Sequence, residues 1–244
     1  MSDHYDTIGI HYDELRVPDP RIATQIFDAL GSARRVVNIG AGTGSYEPVD
    51  RDVIAVEPSR LMIEKRHNEA APVVQASAEA LPFDNKAFDA AMAVLTVHHW
   101  QDPAAGFAEM RRVTRGPIVV LTYDPDARPW LVDYLPELAA LDEAQMPALD
   151  RFEDWLGGIS IEPIPIPDDC TDGFLHAYWR RPEAYLDARI RSGISSFWAL
   201  DNLADGLTQL RRDLDTGAWA QRYASLLQTR RYDAGYRLIV ADGR

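Results

Sequence analysis

Short apolar runs alternate with amphipathic segments over the first half of the chain. The runs predict buried strands at 36–39, 52–56, 72–75, 88–97 and 117–122. The intervening segments have apolar residues at helical spacing and predict helices over 21–30 and 103–113. A third helix is predicted through Leu61, Met62 and Lys65, with Ser59 as its N-cap. Alternating strands and helices indicate a doubly wound, mostly parallel α/β sheet with right-handed crossovers.

The pattern changes after residue 123. Residues 130–144 and 148–156 have helical spacing, whereas 159–166 contains prolines that favour an edge strand. An apolar run at 236–240 predicts one more strand, and the segment before it has helical patterns rich in Trp and Tyr. We therefore expect a helical cap inserted before the last strand. The expected core is 1–167 plus 232–244, and the expected cap, an acceptor-binding insertion, is 168–231.

Composition narrows the class of protein. The chain has 244 residues, of which 46% are hydrophobic and 26% charged, which is ordinary for a globular protein. Its net charge of −13 opposes binding to nucleic acid, whose affinity depends on Lys and Arg contacts to phosphate. The single cysteine, Cys170, excludes an intramolecular disulfide and a cysteine-based zinc site. We see no signal peptide and no membrane span, and we expect a cytoplasmic protein without a bound metal.

A glycine-rich turn follows the first predicted strand. Gly40, Gly42 and Gly44 allow the backbone to turn sharply and to approach a ligand closely. The dinucleotide fingerprint requires glycine at position 45, which is Ser45, and no Walker A sequence occurs. Glu57 ends the second predicted strand, where a carboxylate can accept hydrogen bonds from a ribose diol. Both NAD and S-adenosylmethionine present such a diol, so Glu57 alone does not distinguish them.

Four segments in sequence order resemble a known family. Residues 40–44, 56–59, 78–83 and 88–90 look like the successive motifs of class I S-adenosylmethionine-dependent methyltransferases, with the closest likeness to the ubiquinone/menaquinone-biosynthesis group. The resemblance extends over 35–122 and does not include the cap. It implies a Rossmann-like methyltransferase core, S-adenosyl-L-methionine as cofactor and S-adenosyl-L-homocysteine as product.

The resemblance also implies a set of cofactor-binding residues within these motifs. The set is Asn38, Gly40, Ala41, Gly42, Gly44, Glu57, Pro58, Ser59, Ala78, Glu79 and Thr96. By resemblance, the glycines at 40 and 42 lie under the methionine portion, and Glu57 holds the ribose. Pro58 and Ala78 lie against the adenine, and Glu79 can accept a hydrogen bond from its amino group. Thr96 lies near the methionine tail and the transferred methyl group.

Two further features concern the charged end of the cofactor. The family usually has aspartate where this chain has Asn38, which can organise the loop but lacks the negative charge. Tyr5, Tyr12 and Arg16 match a pattern that some relatives use to close over the cofactor carboxylate, and an Arg–carboxylate pair is chemically sensible there. An ordinary polar N-terminal helix explains the same residues equally well.

His98 and His99 follow the fourth predicted strand, where a methyltransferase opens towards its acceptor. Histidine titrates near neutral pH and can remove a proton from a hydroxyl, an amine or an acidic carbon. We expect one of the two to act as general base during in-line methyl transfer to a small-molecule acceptor, and we favour His98 over His99. A structural role for one of the pair stays open, as does a homodimer.

Other functions on the same fold stay open at this point. A cyclase or isomerase could bind S-adenosylmethionine as a fixed positive charge without transferring its methyl group. A non-catalytic cofactor-binding protein would bind without turnover. A nicotinamide-dependent dehydrogenase is the weakest alternative, because Ser45 interrupts its fingerprint.

Overall fold

The computed structural model describes residues 15–243, which separate into two compact units. The first, here called the sheet unit, contains residues 20–124, 145–163 and 236–243. The second, here called the helical unit, contains residues 15–19, 125–144 and 164–235. No helix among the described residues is both long enough and apolar enough to cross a bilayer.

The sheet unit is built on seven strands. They are β1 (Arg35–Ile39), β2 (Asp52–Val56), β3 (Val73–Val74), β4 (Ala90–Val94), β5 (Ile118–Tyr123), β6 (Ile159–Pro163) and β9 (Tyr236–Ala241). Their order in the sheet is β3-β2-β1-β4-β5-β9-β6. The first five pair in parallel, and β9 lies antiparallel to both β5 and β6. This arrangement confirms the predicted mostly parallel, doubly wound fold.

Four α-helices lie among the described residues of the sheet unit. They are α1 (Pro20–Ala29), α2 (Arg60–Glu64), α3 (Pro103–Val113) and α5 (Asp150–Leu156). Ser59 caps α2 as predicted, since its side chain accepts a hydrogen bond from the Met62 amide. α3 begins at Pro103 and has Asp102 as its N-cap. The buried side of α3, with Phe107 and Met110, belongs to the same hydrophobic core as the central strands.

The helical unit consists of short helices and a two-stranded ribbon. The helices are α4 (Glu137–Gln145), α6 (Ala188–Ser192), α7 (Ser195–Trp198), α8 (Ala204–Thr216) and α9 (Ala218–Arg222), of which α4 ends one residue beyond the unit. The ribbon pairs β7 (Ile166–Pro167) with β8 (Arg231–Tyr232) in antiparallel fashion. The buried residues of the helical unit include the aromatic side chains of Trp130, Trp179, Tyr185 and Trp219.

Several predicted boundaries differ from the structure. The fourth strand ends at Val94 and not at residue 97, because Leu95 adopts a left-handed φ of 51° that breaks the extended backbone. Residues 130–133 form a 3-10 turn separate from α4, and the run at 159–166 divides between β6 and β7. Residues 125–144 group with the helical unit, in addition to the expected 168–231. The acceptor-binding role of that segment stays a prediction.

Candidate functional site

The glycine-rich turn lies at the carboxyl end of β1, beside that of β2. The amides of Gly40 and Ala41 both donate to the Val56 carbonyl, at 2.9 and 3.0 Å. The next amide, that of Gly42, donates to Glu57 Oε2 at 2.8 Å, and the Ser59 amide donates to Oε1 at 2.9 Å. The backbone therefore fixes Glu57 next to the turn, and its contact with the cofactor ribose stays a prediction.

Burial and hydrogen bonding act on Glu57 in opposite directions. Glu57 is buried, and the loss of water around its carboxyl raises the pKa above its ordinary value. The amides of Ser59 and Gly42 and the positive charge of Arg66 oppose that rise. The site thus holds a desolvated carboxylate whose remaining lone pairs can accept hydrogen bonds from a ligand.

The three glycines of the turn all have positive φ. Gly40 and Gly42 differ in what surrounds them. A Cβ added to Gly40 would lie 2.0 Å from Thr96 Oγ1, so the backbone of the turn touches the Thr96 side chain. A Cβ added to Gly42 would have no described atom within 4 Å. Thr96 therefore closes one side of the turn, whereas no atom of residues 15–243 occupies the position next to the Gly42 Cα. The predicted residues Gly40 and Thr96 are brought together, although Thr96 lies beyond the end of β4.

The segment with Ala78 and Glu79 is tied to the residues that follow the histidines. Glu79 Oε1 accepts hydrogen bonds from the amides of Gln101 and Asp102, at 2.9 and 3.3 Å. Partial burial raises the pKa of Glu79, but hydrogen bonds from backbone amides, including these two, outweigh it and lower the pKa overall. The hydrogen bond of Glu79 to adenine stays a prediction.

Trp100 contributes a donor that the sequence analysis did not include. Its ring packs on Gly106, where an added Cβ would lie 2.5 Å from the Trp100 ring and 3.3 Å from the Ala78 side chain. The indole N–H of Trp100 is buried and has no hydrogen-bond partner among the described residues. A buried donor without an acceptor is costly, so this N–H can take an acceptor from outside the described residues.

His98 and His99 form a 3-10 turn with Val97, and their ring centroids are 3.9 Å apart. His98 is half-buried and His99 is exposed. Desolvation and the neighbouring His99 ring lower the pKa of His98 well below 6.5, and desolvation also lowers the pKa of His99. Both imidazoles are therefore neutral at pH 7, which is the form that can accept a proton.

Of the three residues singled out near the N-terminus, the structure describes one. Tyr12 lies outside the described residues, as does Tyr5. Arg16 belongs to the helical unit, where its guanidinium pairs with the buried carboxylate of Asp172 at 2.6 Å. Contact between Arg16 and the cofactor carboxylate stays a prediction, and Asp172 competes for the same cation.

Beneath the turn lies a buried ion pair that sequence reasoning missed. Arg66 Nη2 is 2.8 Å from both carboxylate oxygens of Glu47, and the two side chains are 5% and 7% exposed. Asn38 Nδ2 donates to Glu47 Oε1 at 3.3 Å. Local pattern offered no signal for this pair, because charged residues in a loop and after a short helix usually lie in water.

These residues fit S-adenosylmethionine. The glycine turn leaves the Gly42 backbone uncovered by described atoms, and the adjacent Glu57 carboxylate can bind a ribose diol. Within residues 15–243, no group of three or more His, Cys, Asp or Glu side chains is arranged to hold a metal ion.

Comparison with known proteins agrees with this geometry. The sequence model of the methyltransferase domain matches residues 37–117. A crystal structure from Anabaena variabilis, assigned as a methyltransferase from an antibiotic biosynthesis pathway, is 36% identical with a TM-score of 0.85, over 93% of this chain and 98% of that one.

Two curated relatives match over a shorter region. An uncharacterized methyltransferase of Mycobacterium tuberculosis H37Rv is 38% identical over 34% of this chain and 37% of its own length. The demethylmenaquinone methyltransferase of Renibacterium salmoninarum is 32% identical over 40% of this chain and 46% of its own length. The match thus spans less than half of these curated relatives.

The chain belongs to the class I S-adenosylmethionine-dependent methyltransferases. The family's cofactor is S-adenosyl-L-methionine. Asn38, at a position where the family usually has aspartate, does not remove this chain from the family.

Proposed function

We propose that this protein transfers a methyl group from S-adenosyl-L-methionine to a small-molecule acceptor. The observation that supports it most is the Glu57 carboxylate, which accepts a hydrogen bond from the Gly42 amide at a point of the turn that no described atom covers. When bound, the cofactor supplies a sulfonium-activated methyl group that transfers by in-line displacement. The protein must therefore orient the acceptor, exclude water and, for a protonated nucleophile, remove one proton.

Two features favour a small acceptor. The net charge of −13 opposes a polyanionic substrate. The relative from Anabaena variabilis is assigned to antibiotic biosynthesis, and the relative from Renibacterium salmoninarum methylates demethylmenaquinone by name. Both names support a small-molecule acceptor and do not say which of its groups receives the methyl.

His98, or alternatively His99, would act as the general base. Because the pKa of His98 is well below 6.5, its imidazole is already neutral through the neutral pH range. The proton-removal step should then be independent of pH between about 6.5 and 8. The lowered pKa also makes His98 a weaker base, which suits an acceptor whose own proton is acidic.

The test is an acceptor screen with deuterated-methyl S-adenosylmethionine. Phenols, amines and enolisable carbon acids are incubated with the protein, and mass spectrometry follows the labelled product and S-adenosylhomocysteine together. Turnover of at least one acceptor is expected, with equal amounts of the two products. Tight cofactor binding with no S-adenosylhomocysteine from any class of acceptor would contradict methyl transfer. That result would favour the alternative of a cyclase or isomerase, which the family match does not favour.

The roles of the histidines are tested separately. Removal of a general base costs roughly 10²- to 10⁴-fold in rate. We expect His98→Asn to lower kcat to that extent without changing the KM for the cofactor, and His99→Asn to change kcat by less than about fivefold. The reverse result would move the role to His99. Normal kcat in both variants would mean that neither His98 nor His99 removes the proton.

A further inference from the structure

Arg66 makes hydrogen bonds to three separate segments of the sheet unit. Nη1 donates to the Gly42 carbonyl at 3.0 Å. Nη2 donates to the Glu47 carboxylate at 2.8 Å and to the Ala71 carbonyl at 3.0 Å. A guanidinium can do this because its donors are held in a rigid, planar fork. Arg66 thus joins the glycine turn to Glu47 and to the segment that precedes β3.

Glu47 completes the arrangement. Its two oxygens accept hydrogen bonds from Arg66, from Asn38 Nδ2 at 3.3 Å and from the Ala71 amide at 2.9 Å. Asn38 acts here as a donor to a carboxylate. An aspartate at position 38 would place a second negative charge against Glu47 and could not donate when ionised.

Both peptide groups that flank the Gly42 Cα are consequently held. The Gly42 N–H donates to Glu57 at 2.8 Å, and the Gly42 carbonyl, in the next peptide group, accepts from Arg66 at 3.0 Å. A change of φ or ψ at Gly42 would break at least one of these hydrogen bonds, so Arg66 and the Glu57 carboxylate are linked through a single residue. Gly42 has positive φ and no side chain to restrict its backbone, so the two hydrogen bonds limit its freedom.

We propose that Arg66, aligned by Glu47 and Asn38, is a positioning residue that fixes the Gly42 peptide and thereby the Glu57 carboxylate for binding of the cofactor ribose. This inference rests on the proposed function, because it presumes that Glu57 binds S-adenosylmethionine. Arg66 does not touch the cofactor in this proposal. It acts through Gly42 and through its charge.

The charge of Arg66 gives the proposal a second consequence. Among the described residues, the groups that act on Glu57 are the amides of Ser59 and Gly42 and the cation of Arg66. Glu47, a carboxylate, pairs with that cation and partly neutralises it. Burial already raises the pKa of Glu57, and Arg66 limits the rise. Without Arg66 the Glu57 pKa should climb further, and cofactor binding should be lost at a higher pH.

The test measures the Kd for S-adenosylhomocysteine by calorimetry from about pH 5 to pH 9. Arg66→Met is expected to weaken binding at least about tenfold at neutral pH and to move the acidic midpoint upward. Arg66→Lys keeps the charge but not the fork, so we expect about fivefold weaker binding with an unchanged midpoint. The matched control is Arg60→Met on α2, whose pair with Glu64 is exposed, and which should behave as wild type.

Each result decides between the proposals. If wild type fails to bind S-adenosylhomocysteine, the proposed function is wrong. If wild type binds and a folded Arg66→Met variant has the same Kd and the same midpoint, this inference alone is overturned. Should Arg66→Met not fold, Arg66→Lys decides: wild-type affinity in that variant overturns the inference, and weaker binding at an unchanged melting temperature supports it.

Discussion

The two units of this protein are stabilised by different kinds of side chain. The centre of the sheet unit is aliphatic, with residues such as Val37, Val120 and Ile239 fully buried on strands that satisfy their own backbone hydrogen bonds. The helical unit depends on aromatic residues whose polar atoms bond to backbone carbonyls. Trp130 donates to the Trp179 carbonyl at 2.9 Å, and Tyr185 donates to the Leu175 carbonyl at 2.7 Å.

This difference has a functional meaning. In the sheet unit the ladder satisfies the backbone, so polar side chains such as Glu57 and Thr96 at the strand ends are available for a ligand. In the helical unit the buried polar atoms are themselves part of the packing, so one substitution there removes apolar contacts and a hydrogen bond together. The following predictions test how far this contrast extends.

The largest effect is expected at Trp179. Its ring is 1% exposed, and its N–H donates to the carbonyls of Ile166 and Pro167 at 3.0 and 3.1 Å. Trp179→Ala should lower the free energy of unfolding by roughly 3–5 kcal/mol. Urea denaturation measures it. Trp179→Phe isolates the hydrogen bonds and should still cost about 1 kcal/mol, whereas a Phe variant as stable as wild type would argue that aromatic packing alone matters.

A second pair of variants compares one glycine from each unit. Gly40→Ala must displace Thr96 and adopt a left-handed φ of 66°, which together should cost roughly 2–4 kcal/mol. Gly217, at the C-terminus of α8, has a similar φ of 78° but no described atom near an added Cβ. Gly217→Ala should therefore cost only about 1 kcal/mol. Equal losses in the two thermal melts would show that backbone strain, and not contact with Thr96, determines the result.

Two aspartates should give stability opposite dependences on pH. Burial raises the pKa of Asp142 in the helical unit to about 7, and Arg128 lowers it only in part. The folded state then keeps a proton that the unfolded state releases near pH 4, so stability falls as pH rises from about 4 to 7. Asp142→Asn should remove this fall and stabilise the protein at about pH 8 by about 2 kcal/mol.

Asp89 of the sheet unit is the matched case, because its pKa shift has the opposite sign to that of Asp142. Hydrogen bonds from the amides of Arg35 and Arg34 lower its pKa, against a smaller opposing effect of desolvation. Its contribution to stability is present above about pH 4 and is lost as pH falls below that value. Asp89→Asn should therefore destabilise the protein at neutral pH. Urea midpoints at about pH 3, 5 and 8 measure both variants. The loss from Asp89→Asn should shrink at about pH 3, the gain from Asp142→Asn should grow between about pH 5 and pH 8, and shifts of the same sign in both variants would refute the assignment.

The smallest effects are expected at two helix caps. Ser59 caps α2 in the sheet unit, and Asp187 caps α6 in the helical unit by accepting from the Arg189 amide at 2.8 Å. Each helix has five residues, so the two sites are closely matched. Alanine at either position should cost about 1 kcal/mol, measured by urea denaturation. A much larger loss at one cap would indicate that its unit depends on that helix for more than local order.

The sequence predicts the parallel sheet far better than the helical unit. Strands β1, β2 and β5 and helix α3 lie within a residue or two of their expected positions, because each buried strand is an uninterrupted apolar run. Tertiary contacts determine the rest. Leu95 reads as an apolar strand residue, yet it adopts a left-handed φ where the chain turns towards Thr96.

The candidate site divides in the same way. Glycine spacing and the strand-terminal Glu57 are local signals, and both lie where they were expected. The pairing of Glu47 with Arg66 joins residues 19 apart in sequence, and the burial of the Trp100 N–H follows from packing on Gly106. No periodicity in one sequence reveals a buried ion pair or an unsatisfied donor, because both depend on which loops meet.

The position of β9 has a consequence for how the chain folds during synthesis. β9 lies between β5 and β6, so β6 has no partner in the described sheet until residues 236–241 are made. Residues 164–235 intervene, and at ordinary translation rates they take about 4–14 s to synthesise. During that interval the edge of β5 is exposed to other nascent chains. The short, proline-containing β6 is a poor template for such pairing, which limits aggregation before β9 is synthesised.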